Sequence, residues 1–168
     1  MSTFIRQARP DDMPAVHELC RAYRDLLIER HRGISDVAEN YYKEDVFQDL
    51  LDRLPELHSR PDGAIFVGGL DGEVLACAMT HRIDDATCEI KRVFVADAAR
   101  GQGLGRLLFE EAMALARADG YRRMVLDTMV VLTEAIALYK ALGFSLIPGF
   151  YELDPQYSEN IVFYGIDL

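Results

Sequence analysis

The sequence predicts a mixed α/β fold, a single domain over residues 1–168 with one central mixed sheet flanked by helices. Three observations predict it. Near the start, Met13, Val16, Leu19, Cys20, Tyr23, Leu26 and Leu27 recur at helical spacing. Between 64 and 95, short β-patterned runs are punctuated by glycines and acidic turns. From 87 onward the signals alternate strand, helix, strand, helix, strand, and several strands are apolar on both sides, which requires helices on both sheet faces. No linker or internal repeat divides the chain.

The elements follow in order. Residues 4–8 alternate apolar and polar and read as a first strand. Arg9-Pro10-Asp11-Asp12 turns the chain, with an acidic pair suited to a helix start. The helix runs to about residue 29, where Arg30, His31 and Arg32 suit its negative dipole end and Gly33 stops it. A second helical region covers 37–54 and is expected to end at Pro55. Residues 64–67 form a strand, Asp71-Gly72 a hairpin turn, and 74–81 the returning strand. Asp84-Asp85 turns again into a strand at 87–95. Leu104, Leu107, Leu108, Ala112 and Leu115 then line one helical face up to Asp119-Gly120. Residues 124–127 form a short buried strand, and Thr133 is read as the cap of a helix that Gly143 ends. Strands at 144–147 and 161–166 close the fold, joined by a loop rich in tyrosine and acids at 151–160.

Composition limits the partners. Eighteen basic and 28 acidic residues give a formal charge of -10, which disfavours nucleic acid and anionic membranes as general partners. Apolar runs fall short of the ~20 residues of a membrane span. The N-terminal stretch lacks the apolar core of a secretory signal, so the expected location is cytoplasmic. Cys20, Cys77 and Cys88 make an odd set without paired spacing, which reads as buried thiols in a reducing compartment. His31, His58 and His81 show no metal-ligand spacing, His17 reads as a helix surface or packing residue, and no metal is expected. Neither a serine nucleophile elbow nor an activating setting for Cys88 is visible.

The sharpest local signal is Arg100-Gly101-Gln102-Gly103-Leu104-Gly105, set between Val93-Phe94-Val95 and the long amphipathic helix. Glycines at 101, 103 and 105 let the backbone approach a ligand with N–H groups pointing inward. The helix adds its unpaired N-terminal N–H groups and positive dipole end, and Arg100 adds charge. The turn reads either as a diphosphate cradle or as a glycine-rich entry into a tightly packed helix. Two nucleotide motifs fail here: Arg106 stands where the dinucleotide pattern needs glycine, and the Gly-Lys-Ser/Thr ending of the P-loop is missing.

With Arg100, Gly103 and Gly105 following a Val-x-Val strand, this stretch resembles the diphosphate loop of the GNAT superfamily of N-acetyltransferases. A second block, Ala135-Ile136-Ala137-Leu138-Tyr139-Lys140-Ala141-Leu142-Gly143-Phe144, resembles that superfamily's next helix-to-strand segment, in the same order. The resemblance is specific over 87–144. It implies the acyl-CoA N-acyltransferase fold and acetyl-CoA as cosubstrate. It assigns the diphosphate to Arg100, Gly101, Gln102, Gly103, Leu104, Gly105 and Arg106, and the pantetheine arm to Val93, Phe94 and Val95. A backbone N–H near Val93 would polarise the thioester carbonyl, and Tyr139 would protonate the departing sulfur. From its own neighbours alone, Tyr139 reads first as a core tyrosine beside Leu138 and Leu142. Glu89, four residues before Val93, matches the base of the histone-modifying branch. The residues themselves leave three roles open for it: base, substrate ligand, or partner of Lys91, which shares its strand face while Arg92 lies opposite. Asp127 and Thr128, ending the short strand, are candidate acceptor contacts, or Asp127 caps the turn. Leu132 stands where the family often has Asn.

On the acceptor side, seven acids (Asp36, Glu39, Glu44, Asp45, Asp49, Asp52 and Glu56) face Lys43 and Arg53 within 36–56. They either attract an amine or form a solvated helix face. Tyr41, Tyr42 and Phe47 line a cleft or complete the core, and the loop around Tyr151 rims the acceptor or meets a partner. The expected activity is direct acetyl transfer from acetyl-CoA to the amine of a small-molecule or amino-acid-like acceptor. A protein N-terminus or lysine is a second acceptor class, and a CoA-sensing or protein-interaction module without chemistry is the alternative outside catalysis. A homodimer is possible for a chain of this size.

Overall fold

The computed structural model describes residues 1–31 and 43–168. Among them, a seven-stranded sheet runs in the order β1-β2-β3-β4-β5-β7-β6. Its strands are β1 (Thr3–Gln7), β2 (Ala64–Leu70), β3 (Glu73–Arg82), β4 (Thr87–Val95), β5 (Arg123–Met129), β6 (Ser145–Leu146) and β7 (Ile161–Asp167). Helices α1 (Met13–Arg30) and α2 (Glu44–Leu57) cover one face; α3 (Leu104–Ala118) and α4 (Thr133–Leu142) belong to the other side. Every residue of β2 is buried because alternate side chains enter two cores. Ala64 and Phe66 pack with Leu104, Leu108 and Phe109 of α3, while Ile65 and Val67 pack with Val16 of α1 and Leu51 and Leu54 of α2. Each large side chain so buried contributes about 1.5–3 kcal/mol. The mixed α/β class and the helix-covered sheet expected from the sequence are therefore present.

Two irregularities in β4 shape the site. The first is its pairing with β5, the one parallel pairing in the sheet as described. It extends only over Thr87↔Arg123, Cys88↔Met124 and Glu89↔Val125, although both strands continue. Past Glu89 the strands diverge, and that edge of β4 is left without a strand partner. The second is a bulge against β3. Cys77 pairs with Phe94 but Met79 pairs with Lys91, so β4 uses one extra residue, and Arg92 takes φ 51°. Ile90, Val93 and Val95 face the α3 core while Phe94 faces α1. Lys91 and Arg92 therefore fall successively on the α1/α2 side. Strict alternation placed Arg92 opposite Glu89 and Lys91; the bulge brings all three to one side.

Smaller differences have local causes. Helix α2 continues through Pro55 to Leu57, because a proline in the final turn removes one N–H and leaves the buried Leu51 and Leu54 in place. Its expected start, and Gly33 as the stop of α1, lie outside the described residues. Thr133 is the first residue of α4 rather than its cap; Leu132 holds the cap position, without a side-chain cap. Strand β6 shrinks to two exposed edge residues, with Pro148 soon after it unable to donate to a ladder. No helix among the described residues is long and apolar enough to cross a membrane.

Candidate active site

The β4/β5 divergence opens into two adjoining cavities. The larger, about 530 Å³, is a groove bounded by Val93, Phe94 and Val95, the 100–106 turn and helix α4. Gly101 and Gly103 hold φ of 79° and 77°, and a Cβ on either would meet nothing within 4 Å. At both positions the left-handed backbone favours glycine, and the space beside it is open. Gly105 serves packing instead: its Cβ would come 3.2 Å from Leu138 of α4. Helix α3 starts at Leu104 without a side-chain cap, so its first-turn N–H groups have no intrahelical or side-chain acceptor. Arg100 stands at the rim, paired with Asp97 at 3.0 Å. Open space above left-handed glycines, an uncapped helix start and flanking Arg100 and Arg106 fit a diphosphate-bearing group such as CoA. Gln102, between the two glycines, is exposed and does not line the groove.

The smaller cavity, about 230 Å³, lies between α1, α2 and the diverging strands. The two share Tyr23, Val93 and Tyr139. Tyr139 is thus both a packed and a site tyrosine. Its ring sits 5.4 Å from Phe109, 6.2 Å from Tyr164 and 6.3 Å from Phe144, centroid to centroid. Burial pushes its phenol up to about 12, reinforced by the nearby Asp127 charge. Asp127 lines the smaller cavity and accepts a hydrogen bond from the Tyr151 hydroxyl at 2.5 Å, which brings the late loop to the cavity mouth. Thr128 is buried beneath this layer and lines neither cavity among the described residues.

Glu89 lies deeper than its neighbours. Only 3% exposed, it lines neither cavity; Oε1 is 2.6 Å from His81 Nε2, and Oε2 is 3.7 Å from Lys91 Nζ with no hydrogen-bond partner. Lys91 and Arg92 do line the smaller cavity. The ring of His58, buried at the end of α2, lies 3.0 Å through Nδ1 from the Thr80 carbonyl and 3.2 Å through Nε2 from Arg92 Nη1. Burial, opposed by that backbone bond, lowers His58 to about 4, so at neutral pH Nδ1–H donates to Thr80 and Nε2 accepts from Arg92. The described acids of α2 project outward, and none lines the smaller cavity, whereas Phe47 does. Glu44 instead pairs with Arg24 at 2.7 Å and Arg21 at 3.2 Å. Asp36, Glu39, Tyr41 and Tyr42 lie outside the described residues. All three cysteines are buried thiols, and Cys20 reaches the cavity wall. Among the described residues no three potential metal ligands converge.

The sequence profile of the acetyltransferase (GNAT) family matches residues 20–144, which contain both cavities' β4, α3 and α4 walls. The chain belongs to this family. An uncharacterized Escherichia coli N-acetyltransferase, YjgM, is 38% identical over 100 residues, covering 58% of this chain and 60% of its own length. An acetyltransferase structure from Streptococcus agalactiae superimposes with TM-score 0.71 at 26% identity, covering 99% of this chain and 98% of its own. The PaiA N-acetyltransferase of Thermoplasma acidophilum, solved in complex with coenzyme A, covers the whole of both chains with TM-score 0.72 at 16% identity. The GNAT fold is thus common to proteins of low identity to this chain. Leu132 of this GNAT domain is buried against Leu27 and Met129, joining the end of α1 to the start of α4. Sequence reading missed Tyr23 at the junction, Arg30 and Glu134 on the groove, and His58 beneath Arg92. The first was hidden in a helical stripe; the others meet only through tertiary contacts.

Proposed function

We propose that this GNAT protein transfers the acetyl group of acetyl-CoA to the amine of a small, amino-acid-like acceptor by direct attack. One observation carries the reading: a groove suited to a diphosphate-bearing donor and a smaller cavity meet at Val93 and Tyr139. The CoA complex of the T. acidophilum protein, which shares the fold, supports the donor side.

Acetyl-CoA, when bound, supplies a thioester whose carbonyl is open to an amine. The chain's contribution is position and proton control. The 100–106 turn holds the anionic end, and Val93 and Val95, on the strand edge that β5 abandons, offer main-chain groups to the arm and carbonyl. Tyr139, held at about 12, keeps its proton at any ordinary pH and donates it to the departing sulfur, whose thiolate reference is ~8.5. Asp127 faces the incoming amine. Glu89 lies behind Lys91, so its role as base requires a bridging water and not direct contact.

Turnover measured by thiol release and acetylated-product mass, across a panel of small amines, amino acids and peptides, tests the reading. Transfer to a small amine is expected. CoA binding without transfer to any acceptor would convert the protein into a binding module.

A further inference from the structure

The charge of the smaller cavity opposes that of the molecule. Although the chain carries a net charge of -10, the described residues lining this cavity include Arg24, Lys91 and Arg92 against a single carboxylate, Asp127. These cations differ in how far they are already neutralised. Arg24 is paired with Glu44 at 2.7 Å, and Lys91 stands 3.7 Å from Glu89. Arg92 is half-buried, and among the described residues no carboxylate forms an ion pair with it. Its guanidinium instead donates to His58 Nε2, which is neutral. The charge is felt on the cavity wall: the thiol of Cys20 is lowered by a hydrogen bond with Cys77 and, against its burial, by Arg92.

A partly buried guanidinium with a neutral partner retains its demand for an anion. The bulge that turns Arg92 to this side, at φ 51°, and the buried histidine that holds it, fix the group before any ligand arrives. We propose that the acceptor carries a carboxylate beside its amine, and that Arg92, positioned by His58, binds that carboxylate in the smaller cavity. This rests on the acetyl-transfer reading and narrows it: the acceptor is an amino acid or a close relative, not a simple amine. Asp127, on the same wall, then faces the ammonium end. The two opposite charges of such an acceptor match the two signs present.

The test compares free α-amino acids with their amides and with the corresponding decarboxylated amines. The CoA-loaded protein is titrated by calorimetry and turnover is followed in parallel. Free acids are expected to bind about 10- to 100-fold more tightly than the amides, the range of one charge-assisted contact. Arg92→Asn, which suits the left-handed backbone, is expected to erase that difference while CoA still binds; Arg92→Lys keeps part of it. Equal binding of acids and amides, failure of every acid to bind, or an undiminished preference in a CoA-binding Arg92→Asn protein would overturn the proposal. If Arg92→Asn loses CoA binding, Arg92→Lys decides: an unchanged preference counts against the fork, a reduced one for it. Carboxylate-selective binding without turnover would leave this site standing and refute acetyl transfer, so the two failures are separable.

Discussion

The two cavities that meet at Tyr139 are built by opposite means. The anion-binding end of the groove is mostly main chain: left-handed glycines, the first turn of α3 and an unpaired strand edge. The smaller cavity is mostly side chain, assembled from α1, α2, the β4 bulge and the end of β5. Backbone recognition needs only a local conformation, so it leaves a compact mark in sequence. Side-chain recognition depends on which distant elements are packed together, so it leaves almost none. The same contrast separates what a substitution does: in the groove it blocks or strains, in the cavity it changes charge or proton inventory.

The sharpest break of that contrast is Gly103→Val. Its Cβ meets no protein atom, so the folded protein suffers mainly from the left-handed φ of 77° on a branched residue, about 1–2 kcal/mol. The ligand suffers far more, because the branch enters the space beside the helix start and costs charge-assisted N–H contacts. CoA affinity is expected to fall about 10²- to 10⁴-fold by calorimetry. Gly105→Ala is the control within the same motif. Its Cβ points at the flexible end of Leu138, so affinity is expected to change little. Equal losses in both variants would mean that the turn merely packs α3.

Next in size is the shared residue. Tyr139→Phe keeps the aromatic packing with Phe109 and Phe144 and removes only the hydroxyl. A fall in kcat of about 10²-fold, with KM for acetyl-CoA unchanged, is expected; this is the low end for general acid catalysis, since a thiolate leaves readily. With the phenol at about 12 and His58 at about 4, neither produces a limb in the pH profile between about 5 and 9. Any limb there belongs to another group, and its loss in Glu89→Gln would identify the base.

Legibility followed the same division. The glycine turn at 100–105 and the helix carrying Tyr139 were readable as elements because glycine spacing and the following helix block are contiguous. Strands 87–95 and 161–166 were readable from their apolar pattern, since both faces of the sheet are covered. Arg92 was misplaced because a bulge is an interruption of alternation, and nothing in Lys91-Arg92-Val93 announces φ 51°. His58 was invisible as a site residue because its partners, the Thr80 carbonyl and Arg92, lie 22 and 34 residues away. The acids of α2 misdirected attention in the opposite sense: they belong to an exposed face, while the cavity beneath is lined by Phe47 and cations.

His58 supplies a stability effect on the side-chain half. Its folded value, about 4, lies below the unfolded ~6.5, so between these values the unfolded chain binds the extra proton. Stability is therefore fully present above the unfolded value and is lost as pH falls towards about 4, by on the order of 3 kcal/mol. Urea unfolding of wild type and His58→Gln at pH 7 and pH 4.5 measures it. The wild type is expected to lose stability more steeply, and parallel losses would place the proton elsewhere.

The smallest effect tests whether any side chain tunes the groove. Arg30 of α1 and Glu134 of α4 meet at 3.0 Å on its wall, and the Arg30 hydrogen bond holds Glu134 below the usual carboxylate range, hence ionised. Both are exposed enough for water and salt to screen the pair, so their contribution to folding is slight. Their effect on an anionic ligand has a definite sign: Glu134→Gln removes a repelling charge and releases Arg30 towards the groove. CoA affinity is expected to rise, by less than about fivefold, and the gain to vanish at high salt. A loss of affinity instead would show that the ion pair positions α1 against α4 for binding. The groove would then depend on tertiary side-chain pairing as much as the cavity beside it.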